Sequence, residues 1–383
     1  MPDAMKRIRK LILGYCLLVV WSVLFPVSES GSRAVAASMK TVGVSADGSR
    51  FVLDGADPGA PGFTPWGVNY DHDEQGRLLE DYWHAEWPKV EEDFREIKEL
   101  GANVVRIHLQ TGKFMPEPDK ASHSNLRQLA RLVKLAERTG LYLDITGLGC
   151  YHKKDVPVWY DAMDETERWQ VQARFWEAVA MTCAESPAVF CYDLMNEPIL
   201  AGGKKKETEW LAGDFAGKHF VQRITLDLAD RTREQVAKAW VDKLVAAIRK
   251  HDKRHMITVG VIPWAHTWPN AKPLFYSKQV SENLDFASVH FYPNKGEIEE
   301  ALTALAVYDI GKPLVIEEMF PLKCGLEEMD DFIEGSRSTA DGWISFYWGK
   351  TPEEYRRSQS LPDAMKAAWL EFFKKKAAVI KSR

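Results

Sequence analysis

Eight short runs, nearly continuous in apolar residues and rich in β-branched or aromatic side chains, recur along the chain at residues 63–70, 103–109, 141–146, 189–195, 256–262, 284–291, 313–319 and 343–348. Unbroken apolarity of this kind predicts strands covered on both faces, as in a parallel sheet, because a half-exposed strand would alternate apolar with polar residues. Helical periodicity fills the gaps. Val90, Phe94, Ile97 and Leu100 fall on one face and Gly101 stops the helix. Leu126, Leu129, Val133 and Ala136 repeat the pattern up to Gly140. Val236, Trp240, Leu244 and Ile248 mark a longer helix that opens with Thr232 and Gln235 at capping-box spacing. Strand and helix signals that alternate eight times predict an α/β fold, a single (β/α)8 barrel. Residues 40–54 read as a small N-terminal hairpin that closes the barrel floor. An open doubly wound sheet is the competing architecture, but Gly147 and Gly149 after the third run do not extend to a dinucleotide-binding loop.

The first residues follow a different rule. Lys6, Arg7, Arg9 and Lys10 precede 15 uncharged residues, 11–25, and Pro26 and a small polar run end the stretch. Arg33-Ala34-Val35-Ala36-Ala37 then offers small residues at cleavage spacing. Residues 1–37 are therefore expected to be a secretory signal, with an uncleaved anchor as the alternative, and 38–383 the barrel domain. The apolar stretch is shorter than the roughly 20 residues a spanning helix needs. The expected location is secreted or periplasmic, with membrane contact only if the segment stays attached.

Composition narrows the partners. With a formal charge of −5 there is no basic excess, so a general nucleic-acid binder is disfavoured. An acidic chain suits a neutral or cationic ligand better than an acidic polymer. Beyond the leader, Cys150, Cys183, Cys191 and Cys324 follow no zinc spacing and read as buried free thiols. Fourteen tryptophans are unusual, and indole stacks well on the flat apolar faces of sugar rings. Trp176, Trp240 and Trp369 lie inside helical patterns and read as packing. Trp66, Trp159, Trp264 and Trp268 lie near strand ends, and Trp264, then Trp83, are the expected sugar platforms. Two long loops are expected at 71–89 and 200–230; the lysine run Lys204-Lys205-Lys206 in the second reads as solvated.

The chemistry sits at two strand ends. The fourth run closes with Tyr192-Asp193-Leu194-Met195-Asn196-Glu197-Pro198 and the seventh with Val315-Ile316-Glu317-Glu318-Met319. Carboxylates there cost free energy unless they are paired or used. In a barrel all eight C-terminal strand ends converge on one mouth, so two glutamates far apart in sequence become candidates for an acid/base pair. Acetal hydrolysis needs such a pair: one carboxyl protonated to expel the leaving oxygen, the other ionised to attack the anomeric carbon.

Asn196-Glu197-Pro198 on strand four, a glutamate ending strand seven, Arg106 on strand two, His290-Phe291-Tyr292 on strand six and Trp348 after strand eight together resemble glycoside hydrolase clan A, family 5 in particular. The resemblance implies a retaining β-glycosidase that acts on a β-linked glucan or mannan and needs no metal or other cofactor. It implies Glu197 as general acid/base, Glu318 as nucleophile and Asn196 on the sugar 2-hydroxyl. Arg106 would lie beside the nucleophile, with His290 and Tyr292 lining the subsite and Trp348 as the floor under the reacting sugar. Two departures stand out: Glu317 where the family usually has glycine, and Asp144-Ile145-Thr146-Gly147 where many members carry a histidine, with His152 further on. Side chains alternate along a strand, so only one of Glu317 and Glu318 is expected to face the barrel interior. The resemblance selects Glu318 and leaves Glu317 facing the helices or the loop, against a lysine or arginine. Two other functions stay open: a catalytically silent carbohydrate-binding barrel, and a clan relative outside family 5 such as a β-galactosidase-like enzyme.

Overall fold

The computed structural model describes residues 39–56, 59–346 and 348–381. The expected leader at 1–37 lies outside the described residues. Strands β1 (Val42–Val44) and β2 (Phe51–Leu53) pair as an antiparallel hairpin. Strands β3 (Trp66–Tyr70), β4 (Val104–Gln110), β5 (Tyr142–Gly149) and β6 (Val189–Asp193) follow, all parallel. The chain then makes a three-stranded sheet of β7 (Pro198–Leu200), β8 (Leu211–Phe215) and β9 (Lys218–Thr225). It re-enters the main sheet as β10 (Met256–Thr258), β11 (Gly260–Val261), β12 (Ala287–His290), β13 (Leu314–Met319) and β14 (Gly342–Ser345).

The main sheet runs β10-β6-β5-β4-β3-β14-β13-β12-β11, and β10 and β11 are two halves of one strand interrupted only at Val259. The ring therefore closes on itself with eight strand positions, each near its expected run: the (β/α)8 barrel. Closure removes every sheet edge, which is why each strand can be apolar on both faces. The hairpin plugs the floor, where Phe51 meets Phe190 and Phe286 edge-on at 5.3 Å each.

Helices Trp87–Glu99, His123–Thr139, Glu165–Cys183, Arg233–Arg249, Ile298–Leu305, Leu326–Ser336 and Leu361–Lys381 cover the outside. Their ends follow the sequence signals. Gly140 caps the second in the left-handed conformation (φ 66°). Thr232 Oγ1 accepts from the Gln235 backbone N–H at 3.1 Å while Gln235 Oε1 accepts from the Thr232 N–H at 2.7 Å. After the fifth strand position a full helix is missing. Only the four-residue helix Trp264–Thr267 and two 3-10 turns stand there.

The segment 200–230, expected as a loop, carries the hairpin of β8 and β9. Phe215 pairs with Lys218 across a two-residue turn in which Ala216 and Gly217 both have positive φ (52° and 75°). That is the turn geometry a hairpin prefers, but alanine at its first position hides the signal. Trp176, Trp240 and Trp369 are fully buried, as their helical spacing implied. Cys150, Cys183 and Cys191 are buried free thiols, and Cys324 is free and half-buried.

Candidate active site

Ridge by ridge, the C-terminal strand ends form a polar layer over the apolar floor. Arg106 on β4 is fully buried and anchors it. Its Nη1 lies 2.6 Å from Glu318 Oε1 and 3.0 Å from Asn69 Oδ1; its Nη2 lies 2.8 Å from Asp193 Oδ2 and 2.9 Å from Asn196 Oδ1. A buried guanidinium is tolerable only when its donors are met by acceptors, and here carboxylates from two strands meet it. Tyr292 donates to the other Glu318 oxygen, Oε2, at 2.7 Å. Both oxygens of Glu318 are thus held by donors, which fixes the direction of its carboxylate.

Glu197 approaches from the opposite side. It has φ +48°, a left-handed conformation that costs a non-glycine residue about 1 kcal/mol or more and that collects at functional sites. His290 Nδ1 donates to Glu197 Oε1 at 2.9 Å and lies 3.6 Å from Glu318 Oε2. One oxygen of Glu197, one oxygen of Glu318 and a ring nitrogen of His290 lie within 4.8 Å of one another. The two carboxyl tips therefore face each other across a single opening, at a spacing suited to retaining glycoside hydrolysis. Burial disfavours a charged imidazole, but the Glu318 charge and hydrogen bonds with Glu197 and Glu317 outweigh it and push His290 up to about 10. At neutral pH it is a cation wedged between carboxylates.

Glu317 corrects an expectation. It does not face the helices; it is fully buried inside the barrel, with Oε2 3.7 Å from Arg106 Nη2, 3.5 Å from His290 Nε2 and hydrogen-bonded by Ser288 Oγ. The cause is a bulge. Val289 pairs with Ile316 but His290 with Glu318, and on the other side Ile316 pairs with Trp343 but Met319 with Ser345. One extra residue in β13 breaks the alternation and lets both glutamates turn inward. Gly260 makes the room: a Cβ there would meet Glu317 Oε2 at 2.4 Å and His290 Nε2 at 2.6 Å. Burial pushes Glu317 up, but the Arg106 charge and the neighbouring His290 and Asp144 side chains overcome it and hold Glu317 at about 2. Burial, and then the Glu317 charge, raise Asp144 well above the carboxylate range, so Asp144 keeps the proton and Glu317 the charge.

The pocket above this layer has a volume of about 550 Å³ and is lined by Glu197, Glu318, Asn196, Tyr292, His72, Lys218 and the rings of Phe220 and Phe346. Glu197, Glu318, Arg106, Asn196, His290 and Tyr292 are thus brought together as expected. Asn196 gives its Oδ1 to Arg106 and donates through Nδ2 to the Phe220 carbonyl at 3.0 Å.

Two aromatic expectations fail, those for Trp348 and Trp83, while Trp264 stands outside the catalytic pocket. Trp348 is 1% exposed and donates its indole N–H to Asp93 at 3.2 Å, so it packs into the barrel wall; Phe346, the first residue after β14, is the ring that lines the pocket. Trp264 lines a neighbouring cleft instead, because it follows strand position five and β7 runs on past Glu197 to line that cleft too. Trp83 is fully buried in the core.

Sequence reasoning passed over Asn69 and His108, and gave Asp193 a structural role with no chemistry of its own. Asn69 donates to the carbonyls of Glu317 (3.0 Å) and Ser345 (3.1 Å), while its Oδ1 meets His108 Nε2 at 3.0 Å. Asp193 Oδ1 accepts from the Gly260 backbone N–H at 2.8 Å. Their signal was a polar residue at i and i+2 within an apolar run: Arg106 and His108 share one face of β4.

A (β/α)8 barrel with a paired-glutamate mouth held by a buried arginine is the architecture of a glycoside hydrolase. Comparison with known proteins makes this specific: the chain matches Cellulase (glycosyl hydrolase family 5) over residues 67–380, and it belongs to that family rather than to a β-galactosidase-like branch. It is 24% identical over 221 residues to mannan endo-1,4-beta-mannosidase A of Podospora anserina, which covers 51% of each chain. It is 26% identical over 121 residues to mannan endo-1,4-beta-mannosidase 5 of Arabidopsis thaliana, 28% of this chain and 22% of that protein. The chain thus spans about half or less of the length of these curated relatives. Among solved structures, the exo-beta-1,4-mannosidase Op5Man5 from Opitutaceae bacterium strain TAV5 has a similar fold (TM-score 0.65, 15% identity, 89% of this chain and 62% of that one). The beta-mannanase of the blue mussel Mytilus edulis does too (TM-score 0.60, 15% identity, 89% and 97%).

Proposed function

We propose that this chain is a retaining β-glycosidase that hydrolyses β-mannosidic bonds by double displacement. The observation that carries the reading is the approach of Glu197 and Glu318 oxygens to within 4.8 Å across one pocket. Glu318 attacks the anomeric carbon, with Arg106 and Tyr292 holding its two oxygens. Glu197 donates a proton to the departing oxygen; the sugar is then esterified to Glu318. Glu197, now a carboxylate, takes a proton from water as the water attacks the anomeric carbon and frees Glu318. His290 stands between the two carboxylates and compensates their charge as the proton leaves Glu197 and returns.

The mannan class is supported by the activities of the relatives; residues 1–37 read as a leader, so we place the enzyme outside the cytoplasm. The test is hydrolysis of p-nitrophenyl β-mannoside, mannotriose and cellotriose, read by released phenol or reducing ends. The expected result is turnover of the β-mannosides above the glucan, with the β-anomer as first product. Binding of mannotriose without release at high enzyme would contradict hydrolysis and leave a sugar-binding barrel.

A further inference from the structure

Between Glu197 and Pro198 the chain passes from the lining of the catalytic pocket to the lining of a second cleft of about 420 Å³. The cleft opens where strand position five lacks a full helix. Trp264 and Trp268 stand on its wall, stacked on each other at 5.1 Å with 26° between planes. They are 37% and 58% exposed, a large apolar surface to leave in water. Four cations also line the cleft: Lys205, Arg223, Arg233 and Lys272, and no acidic residue does. Among the described residues none of the four forms an ion pair with a carboxylate. Arg223 and Arg233 are aimed by backbone carbonyls, at 2.6 Å from Glu209 O and 3.1 Å from Ala201 O. Glu209, whose charge is felt by Lys205 and Arg223, has its carboxylate on the Lys206 backbone N–H at 2.8 Å. The charge reversal is local, since the whole chain carries −5.

We propose that this cleft is a binding site for the leaving side of the substrate and that it selects a sugar residue bearing a carboxylate, a uronic acid. The proposal rests on the assignment of Glu197 as general acid. A general acid stands on the leaving oxygen's side of the bond, and the residue next to Glu197 in the chain, Pro198, lines the cleft together with the tryptophan pair. Indole faces take the apolar face of a hexose ring. Guanidinium and ammonium groups without carboxylate partners take its carboxylate, for which the arginine fork is geometrically matched. A neutral leaving sugar would stack but leave the cations unmatched.

Two disaccharides that differ only at C6 of the leaving residue test this: mannosyl-β-1,4-glucose and mannosyl-β-1,4-glucuronic acid. Binding of each to the full chain carrying Glu318→Gln is measured by calorimetry at low salt and at 0.5 M NaCl. The uronic acid should bind on the order of tenfold more tightly, as two or three exposed charge contacts give. That advantage should shrink in high salt and fall close to one in a Lys205→Glu/Lys272→Glu background, whose circular dichroism reports an intact fold. Equal affinities in the parent, or a preference untouched by the double substitution, would overturn the proposal. Turnover of p-nitrophenyl β-mannoside by the unsubstituted chain reads the hydrolase assignment separately. Turnover with no uronate preference overturns this inference alone, and a uronate preference without turnover overturns the hydrolase reading alone.

Discussion

In the buried layer that holds Glu197 and Glu318, opposite charges alternate: Arg106 and His290 are interleaved with Glu197, Asp193, Glu317 and Glu318. In the cleft beyond Pro198, four partly or fully exposed cations stand beside two exposed indoles, and among the described residues none of the four forms an ion pair with a carboxylate. The difference follows from burial. At the barrel mouth the side chains are nearly sealed, so an unmatched charge would cost several kcal/mol and the layer must be complete before substrate arrives. The cleft is open to water, where unmatched charge costs little and remains available to a ligand. The pocket is built for chemistry at fixed geometry; the cleft is built for recognition.

The comparison breaks first at Glu318. Glu318→Gln should lower kcat on p-nitrophenyl β-mannoside by about a thousandfold while mannotriose affinity, read by calorimetry, changes no more than about twofold. A variant with near-normal turnover would mean the pocket is not the reacting site.

Glu317 sharpens the account at the next level. His290, raised to about 10 from an ordinary 6.5, adds stability that is complete below about 6.5 and is lost as pH rises toward 10. Glu317→Gln removes one of the anions that keep His290 charged, so this alkaline loss should be smaller and should finish at lower pH. Thermal unfolding from pH 6 to 10 reads the shift. At neutral pH the loss of stability should be modest, about 1–2 kcal/mol, because Asp144 can ionise in place of Glu317 and keep Arg106 matched. An alkaline limb identical to that of the parent would show that Glu317 does not act on His290. The smallest effect belongs to the cleft, where the roughly tenfold uronate preference comes from water-exposed pairs.

The sequence carried the barrel because its signal is repeated: eight buried strands each write the same apolar run. Glu197 and Glu318 were legible because a carboxylate at the end of such a run is anomalous. Glu317 was misplaced because alternation assumes an unbroken ladder, and the bulge in β13 is visible only in pairing to two neighbours. Trp348 was misread for a related reason. It lies past a strand end, where no periodicity says which way a ring points, and Phe346 took the place assigned to it. The hairpin β8–β9 hid behind an alanine with positive φ.

The central claim is that Glu318, and not its bulged neighbour, bonds to the sugar. Incubation with 2,4-dinitrophenyl 2-deoxy-2-fluoro-β-mannoside, whose fluorine slows release of the glycosyl enzyme, followed by proteolysis and fragment-ion mass spectrometry, locates that bond. The account predicts one fluorosugar adduct on Glu318; an adduct on Glu317 or Glu197 would contradict it.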